Sequence, residues 1–279
     1  MSAPPLGIVA GAGGLPGAVA AAALANGREP VIVALAGIAD AGQLPVPPAA
    51  TLGLGQVGAA IRAFRSRGVT DLVLAGAVVR PDLASLKFDF GLLRRLPDVV
   101  RLSRAGDDGA LRVVVRFFEE EGFRVVGAHE VAPNLLAGEG PLGRRKPDAE
   151  ALADVALGLD VVVALGPFDV GQAVVVENGR VLALEAAEGT DATLQRVGEL
   201  RRSGRLPARR GRAVLVKVPK PGQDARVDMP AIGRRTVEIC LAAGIVGIAV
   251  RAGGVIVLDR AETVAAADAG GLFLHGVTP

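Results

Sequence analysis

Residues 6–35 read LGIVAGAGGLPGAVAAAALANGREPVIVAL, and this stretch decides the fold. Residues 6–10 form a short apolar run of strand length. Gly11-Ala12-Gly13-Gly14 follows, then Leu15-Pro16 and an alanine-rich helix to about Ala25, closed by Asn26-Gly27. A second apolar run occupies 31–35. Strand, glycine loop, helix and strand make a βαβ opening, and such units build parallel sheets. The glycine loop lies at the strand's carboxyl end, where backbone N–H groups and a helix N-terminus favour phosphate. The dinucleotide fingerprint is broken: Pro16 takes the third glycine position, and no acid ends the second strand, Asp40 coming later. A nucleotide or phosphate held by Gly11, Ala12, Gly13 and Gly14 is therefore expected, and nicotinamide is not.

Working outward, the spacing predicts a helix over 51–67, a strand over 72–77 and a helical pattern over 83–104. Arg80 follows the strand, at a sheet edge where doubly wound folds bind ligands. It suits a phosphate or a surface position before Pro81. Asp107 or Asp108 caps a helix over 110–121, because a carboxylate satisfies the free N–H groups at a helix start. A strand is expected over 123–128. The stretch 134–147, NLLAGEGPLGRRKP, is rich in Gly, Pro and charge and marks a boundary. The expected organisation is a Rossmann-like domain over 1–133, a linker over 134–148 and a second domain over 149–279. The second part reads as a helix over 149–159, a strand over 160–165 and a hairpin around Asn178-Gly179, a strong two-residue turn signal. A helix beginning at Thr190 or Asp191 and strands over 213–216, 245–250, 255–258 and 272–274 complete it. The fold class is α/β, with a parallel N-terminal sheet and a C-terminal domain built on a mixed sheet.

Composition narrows the chemistry. The chain has 279 residues, of which 51% are hydrophobic, enough for a full core without disulfides. One cysteine, Cys240, excludes an internal disulfide and reads as a buried core residue. Two histidines far apart, His129 and His275, make a zinc site on histidine and cysteine an unsuitable reading, so a catalytic metal is expected on carboxylates. Trp and Tyr are absent and the net charge is +2, which argues against a nucleic-acid partner. The arginine-rich stretch 201–212 suits either anionic lipid or a solvated helix end.

The densest polar stretch is 217–233, KVPKPGQDARVDMPAIG, between a strand and a helix. With an extended backbone, Asp224, Arg226 and Asp228 point the same way. Carboxylates beside cations suit a hard metal ion held with a phosphate, or a solvated loop with a surface ion pair. Glu185 and Glu188 leave the hairpin at another strand exit, Thr190 or Asp191 opens the next helix, and the acids among them can converge on the same ion. Ala225 stands where a third acid would be chemically natural, so a chain that binds its substrate without turning it over is also contemplated.

In order along the chain, AGAGGLP, AGAVVRPDL, GDDGAL, FDVGQAVVVENGRVLALEAAEGTDATLQR and LVKVPKPGQDARVDMPAIG resemble the UDP-2,3-diacylglucosamine pyrophosphatases of the LpxI type, from bacterial lipid A synthesis. The resemblance covers nearly the whole chain. It implies hydrolysis of UDP-2,3-diacylglucosamine to UMP and 2,3-diacylglucosamine 1-phosphate (lipid X) with Mg²⁺. It further implies a cytoplasmic homodimer in peripheral contact with the inner membrane. Phosphoanhydride hydrolysis needs neutralised charge and a positioned water. On that basis Asp191, Asp224 and Asp228 are assigned to Mg²⁺ or water, with Glu188 in support. Lys217, Lys220 and Arg226 are assigned to the phosphates. Gln172 and Gln223 orient them beside Gly189 and Thr190. The rivals are a Rossmann-type oxidoreductase and a nucleotide-sugar or lipid binding protein.

Overall fold

The structure is a computed structural model that describes residues 3–78, 107–206 and 211–278. Contacts divide the chain into two compact units. The first is Met1–Asn134 together with Asp224–Asp228; the second is Leu135–Gln223 together with Met229–Pro279.

The first unit is built on five parallel strands: β1 (Leu6–Ala10), β2 (Pro30–Leu35), β3 (Ala50–Leu52), β4 (Asp71–Ala75) and β5 (Arg124–Val125). Their order is β3-β2-β1-β4-β5. That is a doubly wound order, with its reversal point between β1 and β4. Both central strands are apolar almost throughout and buried, as parallel strands covered on two faces must be. Helix α1 (Leu15–Ala25) follows β1, α2 (Val57–Arg65) follows β3, and α3 (Asp107–Glu120) and α4 (Ala128–Val131) flank β5. Phe64, Phe117, Phe118 and Phe123 pack edge to face in the core, centroids 5.5–6.3 Å apart.

The second unit holds a six-stranded sheet, from β6 (Gly140–Pro141), β7 (Ala173–Glu177), β8 (Arg180–Leu184), β9 (Val214–Lys217), β11 (Gly247–Arg251) and β13 (Phe273–Val277). The order is β6-β13-β11-β9-β7-β8. β9, β11 and β13 are parallel, while β6, β7 and β8 pair antiparallel, so the sheet is mixed as expected. β10 (Ala231–Ile232) and β12 (Ile256–Val257) form a separate parallel pair. One face of the large sheet packs α6 (Gly189–Arg202), α7 (Arg234–Ala242) and α8 (Arg260–Gly270) through Leu194, Val197, Val237, Cys240 and Ala267. The other face packs α5 (Ala149–Leu165) against Val174, Val176, Val214 and Val216. Asn178 and Gly179 turn the β7–β8 hairpin with positive φ at both residues, the type I′ geometry that matches strand twist. Their two N–H groups donate to the buried Asp154 carboxylate of α5, at 2.8 and 2.7 Å.

Several elements differ from the sequence reading. The run 160–165 is the end of α5, not a strand. Ala151, Val155, Gly158 and Val162 repeat at helical spacing on its buried face, and Gly158 lets the helix approach Val216. The helix expected from residue 51 begins only at Val57, since Ala50–Leu52 pairs with β2 as strand β3 and Gly53 follows. The strand expected over 123–128 is cut to Arg124–Val125, and the chain then turns into α4. The stretch read as a linker supplies β6, an edge strand of the large sheet. The helix expected over 83–104 and the capping side chains of Asp107 and Asp108 lie outside the described residues.

Candidate active site

Register places the polar groups of the second unit before their side chains are considered. Ala173 pairs with Lys217, and the Glu185 N–H donates to the Ala173 carbonyl at 2.9 Å. Gln172, Glu185 and Lys217 therefore stand side by side at one edge of the sheet, where parallel strands β9 and β11 end. The Gln172 carbonyl also accepts from the Val218 N–H at 3.0 Å. Gly171 is glycine because a Cβ would lie 2.1 Å from the Glu185 carbonyl oxygen.

Lys217 is 7% exposed. Its ammonium donates to Thr190 Oγ1 at 3.0 Å and to the Ala231 carbonyl at 2.9 Å. Thr190 in turn donates to Glu185 Oε1 at 2.8 Å, and the second oxygen of Glu185 accepts from the Gln172 N–H at 3.3 Å. A buried cation and a buried carboxylate thus share one hydroxyl. Neither charge is left without hydrogen bonds, which is the condition for keeping it out of water. Beside them Gln223 Nε2 donates to Gln172 Oε1 at 3.2 Å, Gln223 Oε1 accepts from the Lys220 N–H at 2.7 Å, and Lys220 pairs with Asp169. Of the predicted residues, Gln172, Thr190, Lys217, Lys220 and Gln223 are brought together here.

Helix α6 starts at Gly189, with Glu188 as its N-cap residue. Neither Thr190 nor Asp191 caps it, because both already lie in the first turn. The Glu188 carboxyl is held below its ordinary range, first by backbone N–H groups and then by Thr193 and Arg196. Asp191 is bound by Arg235 Nε of α7 at 2.6 Å.

The segment Asp224–Asp228 belongs to the first unit. It is not extended. Val227 and Asp228 donate their N–H groups back to the Asp224 carbonyl, at 3.1 and 3.0 Å, making a turn, so the common orientation expected of Asp224, Arg226 and Asp228 does not form. An extended reading failed because Asp224 folds its own carboxylate onto the Arg226 N–H two residues on, at 3.1 Å, the habit of an Asx turn. The Arg226 guanidinium grips both Asp224 oxygens, at 3.0 and 2.7 Å, and reaches Glu119 of α3 at 2.8 Å. This pairing holds the Asp224 carboxyl well below the usual range against the opposing effect of burial. Val227 packs on the phenylalanine core. Ala225 is exposed at the turn.

The glycine loop is also partly committed. Gly11 N–H donates to Ala75 at 2.7 Å, and Ala12 exchanges hydrogen bonds with Ala77, at 2.8 and 3.0 Å. A Cβ on Gly11 would lie 2.7 Å from the Ala77 carbonyl oxygen. The phosphate cradle expected of four residues therefore shrinks to Gly13 and Gly14, whose N–H groups have no acceptor among the described residues. Arg80 lies outside the described residues. Cys240 is fully buried, and burial pushes its thiol far above the usual range.

The carboxylates do not fit a protein-held metal as expected. Among the described residues no group of three or more His, Cys, Asp or Glu side chains is arranged to hold an ion. Asp191 and Asp224 are each engaged by an arginine. Sequence reading brought in Glu185 as an acid able to converge on a metal, and left Asp169, Glu119 and Arg235 out of the site. Glu185 carried a signal, an acid one residue past a strand; Arg235 on a helix surface carried none.

Fold and site together define a bipartite α/β protein. It has a glycine loop at the switch point of one sheet and a charged, hydrogen-bonded cluster at the carboxyl ends of the parallel strands of the other. The LpxI N-terminal domain family matches residues 5–135 and the LpxI C-terminal domain family matches 138–275. The chain is 43% identical over 274 residues to the UDP-2,3-diacylglucosamine pyrophosphatase LpxI of Caulobacter vibrioides, covering 98% of each chain. It belongs to the LpxI family.

Proposed function

We propose that this chain hydrolyses the pyrophosphate of UDP-2,3-diacylglucosamine, giving UMP and 2,3-diacylglucosamine 1-phosphate. The observation that carries the reading is the 43% identity, along 98% of both chains, with a relative named for that substrate. In the reaction a water oxygen bonds to one phosphorus, and the bridging oxygen leaves on the other phosphate. Negative charge builds on the leaving phosphate, so fixed cations in a dry setting supply most of the stabilisation. Lys217 suits that task because it is buried and preorganised by Thr190 and the Ala231 carbonyl. Lys220 is a second cation beside it, and Gln172 and Gln223 orient phosphate oxygens. Gly13 and Gly14 offer N–H groups to the nucleotide. Pyrophosphate arriving at Arg226 competes with Asp224 for the guanidinium, and an ionised Asp224 released in this way can position water. Asp228 is proposed to assist that water. Mg²⁺ stays in the proposal as an ion that would arrive with the substrate and would neutralise phosphate charge. No step is assigned to it, since the carboxylates of the described residues do not gather into a site.

The protein is further proposed to work as a cytoplasmic homodimer at the inner membrane. The test is release of UMP from UDP-2,3-diacylglucosamine in detergent, with Mg²⁺ and with chelator, by chromatography. Turnover by the intact chain, lost or sharply reduced in Asp224→Asn while its melting temperature holds, supports the assignment; full activity in that variant removes Asp224 from it. Ala225 favours one second reading, binding without turnover. Co-purified nucleotide-lipid, seen by mass spectrometry, with no UMP released would establish that reading instead.

A further inference from the structure

Helix α5 presents an unusual outer face. Within residues 149–168, the helix with the short turn that follows, the most apolar stretch of 18 residues has a mean hydropathy of 1.8, yet only 28% of it is buried. The inner face, through Ala151, Val155, Gly158 and Val162, is fixed to the sheet, so the helix does not cross a bilayer. The outer face carries Leu152, Ala156 and Val163 at helical spacing and ends at Phe168. Leu152 is 44% exposed, Val163 55% and Phe168 74%. Asp160 is the one acid within this stripe, and Glu150 borders it in the first turn.

The amino end of the same helix is basic. Arg144, Arg145 and Lys146 immediately precede it and are exposed. Arg145, Lys146 and Arg212 line a cavity of about 300 Å³ at that end, floored by Leu241, Ile245 and Phe273. Asp148 and Glu150 pair with Arg212, and Asp268 with Arg144. Lys146 has no partner among the described residues. The cavity lies where β9, β11 and β13 begin, at the edge opposite Lys217.

We propose that this helix is the surface by which the protein lies on an anionic lipid layer. Its apolar stripe sinks into the boundary of the acyl chains, and the cations at its amino end meet lipid phosphates. An in-plane helix with an apolar face and flanking cations is built for that boundary. A second copy of the chain fits less well. A helix of this length is about 25 Å long and about 10 Å wide, so the stripe offers about 250 Å², well short of the roughly 800 Å² per partner of a stable interface. The preference for lipid over a protein partner rests also on the diacylated substrate proposed above.

Flotation of the full chain with vesicles tests this. Vesicles of phosphatidylglycerol and phosphatidylcholine should carry the protein, and phosphatidylcholine alone should carry it poorly. Leu152→Ser/Val163→Ser/Phe168→Ser should weaken anionic binding at least tenfold, and Lys146→Glu severalfold. Leu24→Ser/Val181→Ser, exposed apolar positions elsewhere, should leave it unchanged. Undiminished flotation of the triple variant overturns the proposal. So does a triple variant that only turns a dimer into a monomer by light scattering. Turnover in detergent is scored separately: its absence in a protein that still floats is a failure of the substrate reading and leaves the surface standing.

Discussion

Replacing Lys217 by methionine separates a catalytic cation from a structural one. Methionine keeps most of the buried stem and removes the ammonium with its bonds to Thr190 and the Ala231 carbonyl. Each hydrogen bond to a charged group contributes about 1.5–3 kcal/mol. Against this, burying an ammonium costs several kcal/mol that methionine does not incur. The two effects offset to within about 2 kcal/mol, and at roughly 2–4 °C per kcal/mol the melting temperature should move by under about 8 °C. The rate should respond far more. Removing one preorganised group that stabilises developing charge costs about 10²–10³ in kcat. The assay is UMP release at saturating substrate, paired with a thermal melt on the same preparation. Lys217→Met with kcat within about threefold of the parent would refute the catalytic role, judged against that 10²–10³ expectation. A collapse in stability that accounts for all lost activity would refute it too, and would make Lys217 a brace between α6 and β10.

Three further outcomes follow from pairs described above. Arg201 and Glu177 form a buried ion pair at 3.0 Å, supported by Arg201 Nε on the Ala243 carbonyl. Arg201→Met should cost about 3–5 kcal/mol because it strands a buried carboxylate, and adding Glu177→Gln should recover much of that in denaturant titrations. Asp71 is clamped by Arg124 and Arg28, which hold its carboxyl below the usual range. A lowered folded value means the stabilisation is complete above the unfolded value of about 4 and fades as pH falls through the lower folded one. Unfolding at pH 7 and at pH 3 should therefore show Asp71→Asn clearly weaker than the parent at pH 7 and nearer to it at pH 3. Gly11→Ala drives a methyl group into the Ala77 carbonyl, and should destabilise the first unit by about 1–3 kcal/mol in a melt.

The α/β class, the parallel first sheet and the mixed second sheet were legible from 6–35 and from the Asn178-Gly179 hairpin. Glycine loops and primed turns are written in local chemistry. The end of α5 was not, because Val161, Val162 and Val163 suit a strand locally, and only the sheet beneath shows that Val162 completes a helical face. The site was half legible. Gln172 and Lys217 meet because register aligns strand ends, and strand ends are visible in sequence; Thr190 joins from the first turn of α6 and Gln223 from the loop after β9. The disposition of Asp224 was not, since its carboxylate is decided by a turn two residues long and by Glu119, which lies far away in the chain.

Asp224–Asp228 packs with a unit whose remaining chain ends at Asn134. During synthesis the first half emerges and can collapse around its sheet, while the segment that brings Val227 to its core and Arg226 to Glu119 has yet to be made. A fragment cut at the apparent boundary would leave Glu119 without this partner and expose part of that apolar surface. The border between the two family matches, at residues 135 and 138, is thus not where the chain of the first unit ends. The first domain reaches its finished state only after most of the second has been translated.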